Sequence, residues 1–384
     1  MLEGAGAWPA CYDRAVTGRP HLRSLRSLRL AAALLVAAAG PAAATTPATT
    51  PAGAGTPVPR LAYDTFLGDE PVAVVASLHG DVTARFEDAE PFLSITGGLV
   101  AVARRTYADP FRADVTVADA ATGEVRQVVP DARYPLLFDG GDALLFLPDN
   151  QGVSGDDERD PYVNSVWYRD LTTGAERRLA QFTDGDFRPL HLAASPTGRR
   201  VAFTVGDDTG RFEWDVWAGP VDGPARPVTD DGQSLYPSFS PDGRSIAYTH
   251  QERTDGCSTE VRVMDADGGR QRTLAAGSCA RSLIRPVWLD RETIVAWQYT
   301  GDETGFRPSG LVTVDVATGA VDTVVTGRVF DFSVSRTLHV VAFRTVDGRI
   351  AVWDPATGKV RPVAGAAARP GGHLHVDGAL EQAV

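Results

Sequence analysis

The stretch Ser234–Ala275, SLYPSFSPDGRSIAYTHQERTDGCSTEVRVMDADGGRQRTLAA, has the most regular strand-and-turn pattern in the chain. Its short β-branched and aromatic runs predict four consecutive strands, at Leu235–Ser240, Ser245–His250, Glu260–Asp265 and Gln271–Ala275. Asp242-Gly243 and Asp267-Gly268 fall between strands, where a tight hairpin needs the positive φ that glycine adopts freely. One such four-stranded unit cannot bury both of its faces, so we expect it to be one copy in a larger array.

The unit recurs along the chain, and its clearest marker is the hairpin between the third and fourth strands. This hairpin ends in a glycine in six copies, at Gly123, Gly174, Gly223, Gly268, Gly319 and Gly358. Successive glycines are 39 to 51 residues apart. A period of this length with four strands per unit is typical of a β-propeller. Six complete units are therefore predicted between Pro91 and Ala364.

A seventh blade is predicted from the two ends of the repeat region. Arg60–Tyr63, Val72–Ser77 and Val82–Phe86 match second, third and fourth strands, and Gly372–Gly378 matches a lone first strand. Joining them would close the ring and remove exposed sheet edges. We therefore predict an all-β fold, a single β-propeller of seven four-stranded blades with this 3+1 closure. Six blades with a flanking hairpin is the alternative.

Residues 1–44 have the pattern of an export signal. Five arginines between Arg14 and Arg29 precede the apolar run Leu30–Ala39, and Ala42–Ala44 offers a small-residue cleavage site. The run is shorter than the roughly 20 residues that span a bilayer, so a membrane anchor is the weaker interpretation and no span is expected after cleavage. Residues 45–59 are predicted to be a Pro/Thr-rich linker and residues 60–384 the propeller domain.

Charge and cysteine content point to a secreted or cell-envelope protein that avoids polyanions. The formal net charge is −12, and cleavage after residue 44 removes five arginines and two acids and leaves −15. Such a chain is not expected to bind nucleic acid or anionic membrane. Cys257 and Cys279 remain as an even pair, which in an exported protein favours a disulfide; two free thiols are the alternative.

Two segments carry a family resemblance. Tyr236–Tyr248, YPSFSPDGRSIAY, followed by Val263–Gly268, VMDADG, resembles the TolB-type WD-like propeller repeat. His191–Phe203, HLAASPTGRRVAF, matches with Thr197 in place of aspartate, whereas the other units keep the strands but lose the Ser-Pro-Asp-Gly turn. The resemblance covers roughly residues 60–378. It implies a propeller used either as a binding platform in periplasmic and secreted proteins or as the substrate-gating domain of some serine peptidases.

The first strands of a propeller line its central channel. Aligning them on the proline before the strand core puts one polar or aromatic residue of each blade at the channel mouth: Glu90, Tyr134, His191, Tyr236, Arg285, Asp331 and, in the closing blade, His373. Converging polar groups are typical of ligand pockets, so we predict ligand binding there. A water-filled channel with an inter-blade salt bridge is the alternative. His373 and His375 alternate on one strand face and could hold a metal, but solvent-facing histidines are the preferred interpretation.

Long segments between second and third strands are predicted to share one face with the channel mouth. They are Arg104–Ala113, Pro148–Asn164, Gly206–Glu213, Gln251–Thr259 and Gln298–Gly310. Partner contacts are predicted for aromatic residues in or beside them: Tyr107, Phe111, Tyr162, Phe212, Trp214 and Phe306. Long loops on a rigid scaffold are common binding sites. The alternative is that these rings only cover the rim of the core.

Motifs for catalysis are missing from the sequence, which has neither a Gly-x-Ser-x-Gly nucleophile elbow nor a glycine-rich phosphate loop entering a helix. We therefore expect an exported, monomeric, non-catalytic protein without a cofactor that binds an envelope or extracellular protein or a small ligand. One alternative is a propeller hydrolase or lyase using Glu90, Asp331 and His191; another is a structural envelope module. The acidic run Gly155–Asp160 leaves a calcium site open as well.

Overall fold

The computed structural model describes residues 58–105, 113–148, 165–182, 187–207, 213–251, 258–302, 305–368 and 372–382. Within these ranges the chain forms seven four-stranded antiparallel sheets and one short 3-10 turn, Asp139–Gly141. The all-β prediction is confirmed, and seven blades rather than six are present. No helix in the described ranges is long and apolar enough to cross a membrane.

The blades follow one another in sequence, with the strands in each listed from the innermost outward. Blade 1 comprises β28 (Leu374–Val376), β1 (Arg60–Leu67), β2 (Glu70–Ser77) and β3 (Val82–Glu87). Blade 2 comprises β4 (Ala89–Thr96), β5 (Leu99–Arg105), β6 (Ala113–Asp119) and β7 (Val125–Val129). Blade 3 comprises β8 (Ala132–Phe138), β9 (Ala143–Pro148), β10 (Ser165–Asp170) and β11 (Glu176–Gln181). Blade 4 comprises β12 (Phe187–Ala194), β13 (Arg200–Asp207), β14 (Trp214–Pro220) and β15 (Arg226–Pro227).

The remaining blades have the same order. Blade 5 comprises β16 (Ser234–Phe239), β17 (Ser245–Gln251), β18 (Thr259–Asp265) and β19 (Arg272–Ala276). Blade 6 comprises β20 (Ser282–Trp288), β21 (Thr293–Asp302), β22 (Gly305–Asp315) and β23 (Val321–Thr326). Blade 7 comprises β24 (Val329–Ser335), β25 (Val340–Thr345), β26 (Arg349–Asp354) and β27 (Lys359–Ala367).

The ring closes by the predicted exchange of one C-terminal strand. In blade 1, β28 pairs antiparallel with β1, so that Leu61 faces Val376 and Tyr63 faces Leu374. Because β28 is the inner strand of a sheet whose other three strands begin the domain, the two ends of the propeller are hydrogen-bonded together. The closure also buries Leu374 and Val376 completely.

The hydrophobic core is divided among the seven interfaces between neighbouring blades. Each of the seven apolar clusters draws side chains from two adjacent sheets; Leu93 and Val75, for example, join blades 2 and 1. The cluster between blades 7 and 1 contains Val352 and Leu374, so the closing interface is packed like the others. A single blade therefore has no core of its own, as the repeat argument predicts.

The Ser-Pro-Asp-Gly turn is a local structural device. Ser240 Oγ donates to Asp242 Oδ1 at 2.7 Å and accepts the Ser245 N–H at 2.9 Å, while Gly243 has φ +69°. The hydrogen bond from Ser240, followed by that from the Arg244 N–H, holds the pKa of Asp242 below its ordinary value. All of these bonds close the turn on itself, so it offers nothing to a ligand.

Inner strands begin on one face of the ring, here called the upper face, and end on the lower face. Second strands end and third strands begin on this upper face. The predictions made for Tyr107, Phe111, Tyr162, Phe212, Cys257 and the acidic run Gly155–Asp160 lie outside the described residues. The expectation that Gln298–Gly310 is a loop is wrong. Here β21 and β22 stay paired past a bulge at Gln298, as far as Asp302 and Gly305.

Candidate functional site: the channel mouth and the C-terminal segment

The inner strands carry their channel-mouth residues at a β-bulge. In blade 5 the regular pairing of β16 with β17 breaks between Leu235 and Ser238, around Tyr236, and blades 3, 4 and 6 break at the matching place. The bulged residues have a left-handed backbone, with φ from +51° to +58°, at Tyr134, His191, Tyr236 and Arg285. A non-glycine residue in this region costs of order 1–3 kcal/mol. Its recurrence in four consecutive blades shows that the bulge sets the direction of the channel-lining side chains.

Arg285 and Asp331 form a buried ion pair between blades 6 and 7. Arg285 Nη1 lies 2.6 Å from Asp331 Oδ1, and the two side chains are 4% and 0% exposed. Asp331 Oδ2 accepts the backbone N–H of Leu374 at 2.8 Å, which ties the pair to the closing strand. The guanidinium carbon also lies 4.8 Å from the ring centre of Phe332. The inter-blade salt bridge that was the alternative to a ligand site is therefore present.

A second arginine extends this charged cluster. Arg344 of β25 is 2% exposed, and Asp64 of β1 is fully buried. Burial, the larger effect, lowers the pKa of Arg344, and the carboxylates of Asp331 and Asp64 oppose it. Two arginines and two aspartates balance in charge, so the cluster needs no external counter-ion.

His191 and Tyr236 stack on each other across blades 4 and 5. Their ring centres are 4.0 Å apart, and both residues contact Thr204: the imidazole Nδ1 lies 3.1 Å from its hydroxyl, which also accepts the Tyr236 N–H at 3.1 Å. Burial lowers the pKa of His191 to about 3, with a smaller contribution from Arg285. Burial likewise raises the pKa of Tyr236. Both rings are therefore neutral near pH 7.

One cleft opens between these residues. It is lined by His191, Tyr236 and Arg285, by the prolines that follow two of them, and by Glu381 and Gln382. The space inside it that a water-sized molecule can occupy is about 10 Å³, roughly enough for a single water. Three of the seven predicted mouth residues are thus brought together, around a small cleft.

Glu90 and Tyr134 belong to a different group of contacts, around blades 2 and 3. Glu90 Oε1 lies 3.1 Å from Arg133 Nη2 and 3.7 Å from Arg105 Nε. The ring of Phe92 is centred 3.9 Å from Tyr134 and 5.3 Å from His373. Sequence alignment of the blades did not single out Phe92, although it follows the aligned proline directly.

The expectation that His373 and His375 face solvent is wrong, because they belong to an inner strand and its approach. They are 8% and 0% exposed. His375 Nδ1 accepts the Ile95 N–H at 3.2 Å, so the ring proton is on Nε2, which lies 3.2 Å from the backbone oxygen of Glu381 and donates to it. Both imidazole nitrogens are therefore already engaged. Among the described residues, no group of three or more His, Cys, Asp or Glu side chains is arranged to hold a metal ion.

The C-terminal segment Ala379–Gln382, which sequence reasoning missed, lies inside the channel. After β28 the chain turns at Asp377-Gly378 and pairs antiparallel with β12, where Ala194 N–H donates to Leu380 O at 2.8 Å and Gln382 N–H to Leu192 O at 2.9 Å. An apolar pair after an Asp-Gly turn was the one signal for it in the sequence. The segment climbs from the lower face towards the mouth and forms part of the wall of the cleft.

Glu381 holds this segment in place. Its carboxylate is paired with the Arg336 guanidinium and accepts the Ser238 hydroxyl at 2.8 Å. The backbone oxygen of Gln382 accepts from Arg285 Nη2 at 3.3 Å. The segment thereby links blades 4, 5, 6 and 7 from within the channel.

Few of the predicted partner-binding aromatics lie in the described ranges. Trp214 begins β14 and is half-buried; a Cβ on Gly206, its cross-strand partner, would lie 1.9 Å from the indole, so the ring covers that backbone. Phe306 lies in β22 on the upper-face hairpin. Tyr299, across this hairpin, packs edge-on against Trp297, and burial raises its pKa to about 12.

Cys279 lies in the connection between blades 5 and 6 and is half-buried. Its Sγ is 3.9 Å from the hydroxyl of Ser258, the residue after Cys257. Cys257 itself is outside the described residues, so the disulfide stays a prediction.

Comparison with known proteins identifies the fold. No protein-family model matches the chain, and a search of curated proteins found no match. Among solved structures, the tricorn protease superposes with a TM-score of 0.57 at 14% identity over 81% of this chain, which spans only 35% of that protein's length. An oligogalacturonate lyase in complex with manganese gives 0.54 at 12% identity over 79% of this chain and 84% of its own.

TolB structures are also among the matches. The TolB of Agrobacterium tumefaciens matches at 17% identity and a TM-score of 0.47 over 68% of this chain and 91% of its own. At sequence identities this low, structural similarity supports a shared fold and gives no information about activity. The chain is a seven-bladed β-propeller whose repeat resembles the TolB type.

Proposed function

We propose that the protein is an exported, non-catalytic propeller that binds a protein or small ligand through its upper face and channel mouth. The observation that carries this proposal is the internal pairing of the mouth. Arg285 and Asp331 pair with each other, and Glu90 lies within ion-pair distance of Arg133. A general acid or base must reach a substrate proton, and carboxylates engaged in this way are poorly placed to do so.

The histidine of the alternative catalytic set is also poorly suited to proton transfer near neutral pH. An efficient general acid or base has a pKa near the working pH, whereas burial lowers that of His191 to about 3. The matched lyase and protease share the fold at 11–14% identity, which gives no reason to transfer their chemistry. Recognition by the upper face therefore fits the described residues better than catalysis does.

A two-arm experiment tests this proposal. The purified protein is assayed for cleavage of peptide, ester and uronate-containing oligosaccharide substrates, with and without added manganese or calcium. In parallel, the immobilised protein is used to capture ligands from an envelope extract and from the culture medium. We expect capture without turnover. Turnover that is lost in an Asp331→Asn variant but kept in Arg285→Met, which breaks the same ion pair, would instead establish the propeller enzyme.

Export is part of the proposal and has its own test. Cleavage after residue 44 would free a mature chain beginning in the Pro/Thr-rich linker, and an oxidising compartment would permit the pairing of Cys257 with Cys279. We expect N-terminal sequencing of the exported protein to begin near Thr45. Non-reducing peptide mapping should recover the two cysteines in one linked peptide; two separately alkylated cysteines would contradict this.

A further inference from the structure

The channel contains an occupied strand-binding groove, and its occupant is the protein's own C-terminal segment. The channel-facing edge of an inner strand has no neighbour within its own sheet, so its N–H and C=O groups can pair with an added strand. On β12 they do: Ala194 N–H and Leu192 O bond the backbone of Ala379–Gln382. This is the geometry by which sheets bind extended peptides.

The side chains of the segment are recognised individually. Leu380 packs against the apolar cluster between blades 3 and 4, which includes Leu192 and Ala194. The Glu381 carboxylate meets Arg336 and Ser238, as described above. The apolar Leu380 therefore binds to an apolar pocket, and the Glu381 carboxylate that follows it binds to a cationic one.

Some buried polar atoms at this contact make no hydrogen bond among the described residues. Glu381 Oε2, Gln382 Nε2 and Arg336 Nη1 are buried, and none has a hydrogen-bond partner among the described residues. An unpaired buried polar atom costs free energy that a better-matched peptide would recover. The groove is thus specific for an extended acidic peptide without being fully satisfied by the segment that fills it.

We propose that the β12 groove is a binding site for an extended partner peptide carrying an apolar residue followed by glutamate, and that Ala379–Gln382 occupies it in cis as a competitor. The groove adjoins the mouth cleft, because Glu381 and Gln382 form part of the cleft wall. The peptide test below measures the groove alone, so its failure would leave capture through the upper face unaffected.

The cis segment sets the expected binding behaviour. A tethered competitor acts at an effective concentration in the millimolar range, so a free peptide should bind the wild-type chain only weakly. Substitutions that weaken the contacts of Ala379–Gln382 with the groove should make the groove available to a free peptide. The full-length double variant Leu380→Asp/Glu381→Arg places a charge in the apolar pocket and reverses the ion pair with Arg336.

The test is fluorescence anisotropy with a labelled peptide of residues 378–384, Gly-Ala-Leu-Glu-Gln-Ala-Val. We expect the double variant to bind it at least about tenfold more tightly than the wild-type chain does. Adding Arg336→Ala to the double variant, or reversing the glutamate of the peptide to arginine, should abolish the gain. Equal binding by the wild-type chain and the double variant, including no binding by either, would overturn the proposal.

A second measurement on the wild-type chain applies if the double variant loses its cooperative unfolding transition. Hydrogen exchange is compared between the Gln382 amide, bonded to Leu192 O, and the Val376 amide, bonded to Ser333 Oγ. A segment that leaves the groove while the ring stays closed exchanges at Gln382 at least about tenfold faster than at Val376. Equal rates at the two amides would mean that the segment opens only with the whole fold, and would contradict a displaceable occupant.

Discussion

Arg285 and Asp331 illustrate how single residues connect the blades. Each is almost fully buried, and the pair is completed by the Leu374 N–H and the ring of Phe332. Desolvation of two charges offsets much of their attraction, so the pair adds little net stability over an apolar isostere. Loss of one partner alone is different, because it leaves an uncompensated charge in the interior.

Substitution of one partner should therefore be costly. We expect Arg285→Met to lower the free energy of unfolding by about 3–5 kcal/mol, measured by urea denaturation. Arg126→Gln is the matched control, since Arg126 pairs with Asp119 at 2.8 Å but is 59% exposed, and should cost less than about 1 kcal/mol. Arg285→Met combined with Asp331→Asn should cost less than the sum of the two single changes. Strict additivity would show that the two side chains do not interact.

His375 gives the fold a pH dependence with a defined sign. Burial lowers its pKa from an ordinary 6.5 to about 4, although its backbone hydrogen-bond partners oppose the shift. The unfolded chain therefore binds more protons than the folded one between these values. The stabilisation is complete above about pH 6.5 and is lost as the pH falls towards 4.

We expect His375→Gln to flatten this part of the stability profile. The single group contributes a slope of up to roughly 1.4 kcal/mol per pH unit between pH 6.5 and 4. The check is urea denaturation at half-unit steps of pH for the wild-type and the variant. His79→Gln, at an exposed position, is the control and should leave the slope unchanged. The same slope in wild-type and His375→Gln would contradict the assignment.

At the scale of elements, the turns could be predicted well and the bulges only in part. The hairpins between third and fourth strands gave the period and the register, because the glycine that ends each of them has a direct conformational role there. The aligned prolines located the mouth residues, but the left-handed φ of Tyr134 or Tyr236 is imposed by pairing with the next strand. Residues Gln298–Gly310 form a strand pair rather than a loop, and this pairing depends on cross-strand neighbours that a local sequence pattern does not show.

Two glycines at equivalent hairpin positions allow the cost of backbone strain to be distinguished from the cost of a steric clash. Gly319 and Gly358 end the same hairpin in blades 6 and 7, with φ +74° and +68°. A Cβ on Gly319 would lie 2.1 Å from Leu274 O, whereas one on Gly358 would meet nothing within 4 Å. We expect Gly358→Ala to cost about 1–2 kcal/mol from its backbone alone. Gly319→Ala should cost clearly more, as measured by thermal unfolding; equal costs would mean that the close approach to blade 5 is unimportant.

At the scale of the whole molecule, stability is distributed among inter-blade interfaces and depends on closure. The sequence repeats were sufficient to predict the seventh blade, since three strands at one end and one at the other leave a single way to complete a sheet. The segment that occupies the channel could not be predicted from the repeats. Ala379–Gln382 has no repeat partner, and its contacts with Ser238 and Arg336 join residues that are 45 to 143 positions apart.

Closure can be tested at the β28 strand. Leu374 is fully buried between blades 7 and 1, so Leu374→Ala should lower the free energy of unfolding by about 2–5 kcal/mol. Because the closing strand joins both ends of the ring, we expect one cooperative transition at a lower midpoint rather than a separate early phase. Leu67→Ala, at a 65% exposed position of β1, is the control and should change stability by less than about 0.5 kcal/mol. A separate phase for blade 1 would contradict the coupling.

Recognition through the upper face can be tested by site-specific photocrosslinking of the protein in the cells that produce it. A crosslinking residue is placed at exposed upper-face positions, Asp69 and Thr300, and at exposed lower-face positions, Thr122 and Arg291. We expect a discrete adduct from the upper-face positions and none, or far less, from the lower-face ones. Equal adducts from both faces, or adducts from the lower face alone, would contradict it.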